Sequence, residues 1–264
     1  MSFRYTEAIV CRLPDDLSSK VDLRKCRAEF EEYITVLRDA GVDVIELPPP
    51  EQANQSPFVG DICFIINGMA IMSRAKPYEQ EMAAMIRTVL KKELDVPVVE
   101  IKEDGVNIQG ADVIFTGREL FVGISKFTNE AGALFLANTF PELPCSPIQV
   151  PSSAGDKRLR DYVNMAAPGI ICVGGCKDSQ DVIKRIERQA SYRYETITMP
   201  NEHSAEVICV NGYLVHLIPE ENVFSDKLMS LLKKGIEMKE LTKLSANFSR
   251  LTIFLNKSRL KSYV

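Results

Sequence analysis

The residues best suited to covalent or metal chemistry in this chain are thiols and imidazoles, and it holds seven Cys and two His. Cys172 and Cys176 are separated by three residues with no second pair nearby, which is too little for a tetrahedral zinc site. Cys176 precedes a predicted helix beginning near Asp178, where a thiolate gains stabilisation, so a reactive thiol is conceivable there and an inert one is the plainer reading. His203 and His216 are too far apart to propose as a ligand pair, and His216 alternates along a predicted strand, which places it at the core edge or surface. No His lies between residues 1 and 202, and no Cys follows Cys209. Gly123 and the Thr116-Gly117 turn lack the spacing of a phosphate loop or a dinucleotide fingerprint. Asp61, Asp112 and Glu206 each stand just before a β-rich run; a carboxylate there can accept backbone N–H bonds, and Asp61 has the further reading of a cation ligand. These residues assemble no cofactor or metal site, and none is expected.

The elements that would position them recur. Residues 60–72, 111–124 and 205–218 each read as an acid, a strand, a tight turn and a second strand. Asn67-Gly68 and Asn211-Gly212 supply the positive φ that a two-residue hairpin turn requires. Helical patterns follow. Leu23, Cys26, Phe30, Ile34 and Leu37 form a stripe ending at Gly41, and Tyr78, Met82, Met85, Ile86, Val89 and Leu90 form another. Thr128 is the expected cap of a helix running to Phe140, and Val182, Ile183 and Ile186 mark a helix after Asp178. Ser225 is the expected cap of a helix carrying Leu228, Leu231 and Leu232 and ending at Gly235. Short strands are expected at 42–47, 97–102, 146–150, 194–199 and 236–241; their starts are 55, 49, 48 and 42 residues apart. A unit of about fifty residues repeated five times indicates a propeller, solenoid or array. A strand near Leu251–Leu255 would complete the first unit and close the ring, covering sheet edges. An open α/β sheet is the competing reading, but it lacks the extra hairpins.

Composition sets outer bounds. The chain has 264 residues, 45% hydrophobic and 26% charged, with a net charge of −4. That is ordinary for a globular chain and gives no electrostatic footprint for nucleic acid. Cysteines 11, 63, 172 and 209 sit inside apolar runs, which suggests a reducing compartment. No signal peptide or membrane span is evident, so a cytoplasmic location is expected. The whole chain, residues 1–264, is expected to form one domain.

A circle of five ββαβ units resembles the pentein fold of guanidine-modifying enzymes, a five-bladed β/α propeller with pseudo-five-fold symmetry. The sequence resembles the dimethylarginine dimethylaminohydrolases over nearly its whole length. The run from Ile108 through Gly110-Ala111-Asp112 and Thr116-Gly117-Arg118-Glu119 to Lys126, then Thr128-Asn129, carries the resemblance best. Phe58-Val59-Gly60-Asp61, Met165-Ala166-Ala167-Pro168 and Leu255-Asn256-Lys257 add to it. The resemblance implies hydrolysis of methylated arginine to citrulline and an amine. It requires a Cys nucleophile, a His proton shuttle, carboxylates for the guanidinium and Arg residues for the substrate carboxylate.

This chain departs at almost every such position. The nucleophile position reads Arg250 and the His position Arg158. Of the acidic pair, Asp61 remains and its neighbour is Gly60; a further acid reads Gln55 and a last one Ser245. The carboxylate-binding positions read Glu79 and Phe127. Arginine stays protonated at neutral pH (pKa above ~12) and is neither nucleophile nor base. Two cations at ~4 Å from a guanidinium would each repel it by about 4 kcal/mol at an effective dielectric of ~20. The expectation is therefore a non-catalytic relative. Either Arg158 and Arg250 form an anion pocket, or each pairs with a local acid such as Glu79 or Asp61 and plugs the former channel; the cost of unpaired buried charge favours the plug. The expected partner is a small molecule, in the first case anionic, or a protein, with the chain as monomer or homodimer. A structural protein without a ligand and a hydrolase with altered residues, using Ser249 without an evident base, are the alternatives.

Overall fold

The computed structural model describes residues 4–15, 17, 20–49, 57–151, 155–200, 205–218, 224 and 228–256. They gather into two compact units. The first comprises Arg4–Ile101 with the segment from Ile236 onward, and the second Lys102–Gly235.

In the first unit, β1 (Glu7–Cys11) is the centre of a sheet flanked by β2 (Asp43–Leu47) and β15 (Thr252–Leu255). β15 runs antiparallel to β1, with Glu7 opposite Leu255, so the C-terminal strand does complete the first repeat. β2 runs parallel to β1 and is reached through α1 (Leu23–Asp39). The second sheet is β3 (Cys63–Ile66), β4 (Met69–Met72) and β5 (Val98–Glu100), preceded by α2 (Val59–Ile62) and bridged by α3 (Gln80–Thr88). In the second unit, β6 (Val113–Phe115), β7 (Leu120–Ile124), α4 (Glu130–Thr139) and β8 (Cys145–Gln149) repeat the pattern. So do β9 (Val163–Ala167), β10 (Ile170–Val173), α5 (Lys177–Gln189) and β11 (Glu195–Thr198). The last sheet is β12 (Val207–Val210), β13 (Tyr213–Leu217) and β14 (Leu232–Ile236). The first unit also holds α6 (Lys239–Thr242) and α7 (Phe248–Leu251). In the first four sheets a central strand pairs antiparallel with its hairpin partner and parallel with the strand after the helix. Asn67 and Gly68 (φ 48° and 79°) and Asn211 and Gly212 (φ 49° and 90°) make the expected turns with both central residues left-handed.

Four expectations change. Asn129, not Thr128, caps α4, its side chain accepting from Gly132 N; Thr128 is buried and serves Asp112 instead. The predicted helix after Ser225 and strand at 236–241 give way to strand β14 at Leu232–Ile236 and helix α6 at Lys239–Thr242; Ser225 itself lies outside the described residues. A short apolar run fits either periodicity, and two lysines with a glycine suit a strand with an exposed face, here Leu232 and Lys234. The hairpin β9–β10 escaped notice because its turn, at Pro168-Gly169, is not Asn-Gly; Gly169 alone supplies positive φ (79°). His216 is buried, 1% exposed, because both faces of β13 are covered at Leu214, Val215 and His216.

Each unit has its own core. Ile9, Val59, Ile62, Ala70, Met82, Ile86, Leu90 and Ile253 pack together in the first, and Phe121, Ile148, Leu159, Tyr162, Val182 and Ile186 in the second. The stripe of α1 also buries a charge, Glu29. Its carboxylate accepts from the backbone N–H of Glu240 and Leu241 at 2.9–3.0 Å, where α6 begins. Glu240 in turn accepts from Asp22 N at 3.0 Å, at the start of α1. The two helices cap each other. Replacing Glu29 by Ala strands two buried N–H groups, so it should lower unfolding free energy by about 2–3 kcal/mol in urea titrations. Glu29→Gln, which keeps one acceptor, should cost less.

Candidate functional site

The hairpins are entered through equivalent turns. Asp61 N donates to Phe58 O (3.1 Å), Asp112 N to Gln109 O (3.0 Å), Asp161 N to Arg158 O (3.0 Å) and Arg250 N to Asn247 O (3.1 Å). The first position of these turns is thus Phe58, Gln109, Arg158 or Asn247, and the last is Asp61, Asp112, Asp161 or Arg250. Arg250 stands where three other repeats carry a carboxylate.

In the first unit that substitution finds its counter-charge. Arg250 Nε donates to Asp61 Oδ1 (3.1 Å) and Oδ2 (3.0 Å), and Nη2 donates to Oδ2 at 2.7 Å. Both side chains are 8% exposed. Nη1 donates to the carbonyl of Ser245, whose φ of +57° is a left-handed conformation. The guanidinium carbon lies 4.1 Å from the centroid of the Phe58 ring. A bidentate ion pair with a carbonyl on one edge and an aromatic face above satisfies a guanidinium about as fully as a protein can. Asn247 Oδ1 accepts from Arg250 N (2.9 Å) and Ser249 Oγ (2.8 Å), holding α7 in place. Gly60 has a steric reason to be glycine: a Cβ there would stand 1.9 Å from Ser249 O and 3.1 Å from Arg250 Cα. A glutamate at position 60 cannot coexist with this α2–α7 contact.

In the second unit Arg158, 5% exposed, is held differently. Nε donates to Gln109 Oε1 (2.8 Å), Nη1 donates to Asp156 O (3.2 Å), and the guanidinium lies 3.9 Å from the Phe127 ring centroid. Its own N–H donates to Asp161 Oδ2 at 2.7 Å. Asp112, fully buried, fixes the adjoining backbone. Its Oδ1 accepts from Leu159 N (2.9 Å), and its Oδ2 from Ser125 Oγ (2.6 Å) and Thr128 Oγ1 (2.8 Å). Burial pushes the Asp112 carboxyl up to about 6, with those hydrogen bonds and Arg158 opposing the shift. Gly123 is explained here too: a Cβ would meet Leu159 Cβ at 2.7 Å and Asp112 Oδ1 at 2.9 Å.

Within each unit some of the expected site residues meet. Arg250, Asp61, Gly60 and Ser245 come together, and Arg158 and Phe127 come together. Glu79 joins neither contact: its Oε2 accepts from Lys76 N (2.9 Å) at the start of the turn Pro77–Glu79. Within the second unit Arg158 Nε takes the Gln109 amide as a partner, and within the first unit Asp61 takes Arg250. Gln55, His203 and the segment from Lys257 lie outside the described residues. Cys176 caps α5, its Sγ accepting from Ser179 N at 3.4 Å, while Cys172 lies in the core on β10. Among the described residues no group of three or more His, Cys, Asp or Glu could hold a metal. Phe58, Gln109 and Asn247 were not anticipated as partners. The available signal was their common offset, three residues before Asp61, Asp112 and Arg250.

No family model matches the chain. Human DDAH2 is 28% identical over 275 residues, spanning 96% of this chain and 95% of its own length. The N(G),N(G)-dimethylarginine dimethylaminohydrolase of Streptomyces coelicolor is 28% identical over 136 residues, 51% of this chain and 52% of its own. Among solved structures, a mutant dimethylarginine dimethylaminohydrolase from Pseudomonas aeruginosa complexed with citrulline matches with a TM-score of 0.77 at 20% identity, covering 96% of this chain and 100% of that one. An amidinotransferase of the saxitoxin pathway from Microseira wollei matches at 0.76 and 15%, covering 100% and 98%. The five three-stranded mixed sheets are those of the pentein fold.

Arg250→Ala removes the buried bidentate pair with Asp61 and should cost about 3–5 kcal/mol in denaturant unfolding. Added guanidinium at low millimolar concentration, too dilute to denature, should raise the Tm of Arg250→Ala and leave the parent unchanged. For Asp112 the sign is that of a raised carboxyl. Between about pH 4 and pH 6 the folded state binds more protons than the unfolded one, so this group's contribution to stability grows as pH falls through 6 and levels off below about 4. The Tm difference between the parent and Asp112→Asn should therefore shift in the parent's favour on acidification through that window.

Proposed function

We propose that this chain, which belongs to the dimethylarginine dimethylaminohydrolase family, does not hydrolyse methylated arginine and acts as a binding or regulatory protein on the family's frame. The observation that carries this reading is the Arg250–Asp61 pair. A family substrate presents a guanidinium to a carboxylate; here the chain presents its own, from the position assigned to the nucleophile, and Asp61 accepts it through three contacts of 2.7–3.1 Å. A tethered guanidinium has an effective concentration in the millimolar range or above, which a dilute free substrate does not match. The chemistry also lacks its agents. A thiolate must attack the guanidinium carbon and an imidazole must relay protons; guanidinium groups at 250 and 158 do neither at neutral pH. Loss of one member of such a unit costs several orders of magnitude, and loss of the second adds little because the unit has already failed.

A hydrolase using Ser249 in place of the thiol is disfavoured on geometry. Its hydroxyl donates to Asn247 Oδ1 at 2.8 Å, and a carboxamide is not a base. The anion-pocket reading of Arg158 and Arg250 is weaker than the plug, since hydrogen bonds and an aromatic face engage both guanidinium groups. What remains is a frame whose function is recognition, of a small molecule or a protein.

Incubation of micromolar protein with asymmetric dimethylarginine or arginine, followed by colorimetric citrulline detection, should give no signal above a protein-free control. Reproducible turnover that disappears on Asp61→Asn would overturn the proposal.

A further inference from the structure

The second unit contains a thiol and a buried phenol that the function proposed above does not use. α5 is entered at Cys176, whose Sγ accepts from Ser179 N at 3.4 Å and lies 3.3 Å from Ser179 Oγ. That role sets this sulfur apart. The sulfurs of Cys11, Cys63 and Cys145 each donate to a backbone carbonyl, at 3.3–4.0 Å. A thiol that donates to a carbonyl must keep its proton. A sulfur that receives an N–H is matched to the thiolate, which is the nucleophilic form. Cys145 is the informative contrast, because it is half-buried like Cys176, yet burial pushes its thiol up to about 11.

Beside the start of α5 stands a donor with nothing to donate to. Tyr162 is fully buried, and its hydroxyl has no hydrogen-bond partner among the described residues. Its carbonyl accepts from Gly174 N at 3.0 Å, two residues before Cys176, and its side chain belongs to the core that includes Val173 on β10 and Val182 on α5. The hydroxyl interacts electrostatically with Asp178 and Cys176 at the head of α5, and with Asp161. Burial first, and then these three groups, push the phenol well above its ordinary range, so it remains a donor at neutral pH. The Cys176 sulfur lies beyond its hydrogen-bonding distance. Buried hydroxyls are ordinarily paired. An oxygen carried by the sulfur would supply the acceptor that this one lacks.

We propose that Cys176 is a site of oxidation by small hydroperoxides, with Ser179 N and Oγ holding the attacking sulfur and Tyr162 Oη donating to the oxygen that the sulfur acquires. The thiol's proton goes to solvent, and the thiolate attacks one peroxide oxygen. An S–O bond forms as the O–O bond breaks; sulfur is oxidised by two electrons and the peroxide is reduced. The hydroxide that leaves takes up a proton, so the products from hydrogen peroxide are a sulfenic acid and water. A half-buried sulfur admits an oxidant of that size, and the phenol's hydrogen bond favours the oxygenated product over the bare thiol. The proposal does not depend on the catalytic status argued above, and its test involves neither citrulline nor Asp61.

Hydrogen peroxide is the probe, added to the full chain together with dimedone, which traps sulfenic acids. Each cysteine-containing peptide is then followed over time by mass spectrometry. Dimedone addition at Cys176 should run roughly tenfold or more ahead of addition at Cys145, the half-buried control. Tyr162→Phe deletes only the orphaned hydroxyl, so its Tm should not fall below the parent's. In that variant labelling of Cys176 should slow about fivefold, the worth of one neutral hydrogen bond, while labelling of Cys145 stays as in the parent. Should the variant lose stability, the ratio of the two cysteines in the parent still decides. Comparable labelling of Cys176 and Cys145 in the parent, no label at Cys176, or an unchanged rate in a stably folded Tyr162→Phe would each sink the assignment.

Discussion

A guanidinium buried away from water must be matched around its whole rim and over its faces, or the fold carries an uncompensated charge worth several kcal/mol. Arg250 meets that demand with Asp61 on one edge, the Ser245 carbonyl on another and the Phe58 ring above. Much of the first unit's local architecture follows from this requirement. The left-handed conformation of Ser245 accompanies a carbonyl aimed at Nη1. The Asn247 cap secures the short helix from which Arg250 projects. The absence of a side chain at Gly60 lets the backbone of Ser249 close on α2. These features are mutually dependent, because a side chain at 60 or a neutral group at 250 removes the geometry that the others serve.

The second unit also buries a guanidinium. Arg158 leans on an amide, a carbonyl and an aromatic ring. The carboxylate near it, Asp112, is spent on one backbone N–H and two hydroxyls. That spending organises the chain: Asp112 ties the backbone after Arg158 to the loop carrying Ser125 and Thr128, and this loop presents Phe127 to the guanidinium. Gly123 is required for the same approach. Equivalent turn positions thus serve opposite purposes in two repeats, one carboxylate holding a cation and the other holding backbone.

The turns make the repeat a framework for function. Each places its last residue at the mouth of a hairpin, so changing a residue there alters chemistry without altering topology. Arg250 in place of a carboxylate is such a change. Neither sheet pairing nor register is affected by it, since β15 still pairs with β1 from Glu7 to Val10. Frame and chemistry can part company because backbone hydrogen bonds sustain the former and a few side chains the latter.

Residue order and residue type alone determined the five-fold repetition, the Asn-Gly hairpins, the stripe of α1, the closing C-terminal strand and the presence of Arg at positions 158 and 250. All of these depend on local periodicity or on which atoms a side chain contains. They also brought Arg250 and Asp61 forward as partners, because buried charge needs a counter-charge and few candidates were available. Tertiary structure decided the rest. Gln109 joins Arg158 within the second unit; Thr128 turns inward to Asp112 and leaves the helix cap to Asn129; residues 232–236 extend as a strand. Glu29 and Glu240 cap helices more than two hundred residues away in sequence. None of these could be read locally, because each is settled by which groups from distant segments arrive within 3 Å of one another, a quantity that periodicity does not contain.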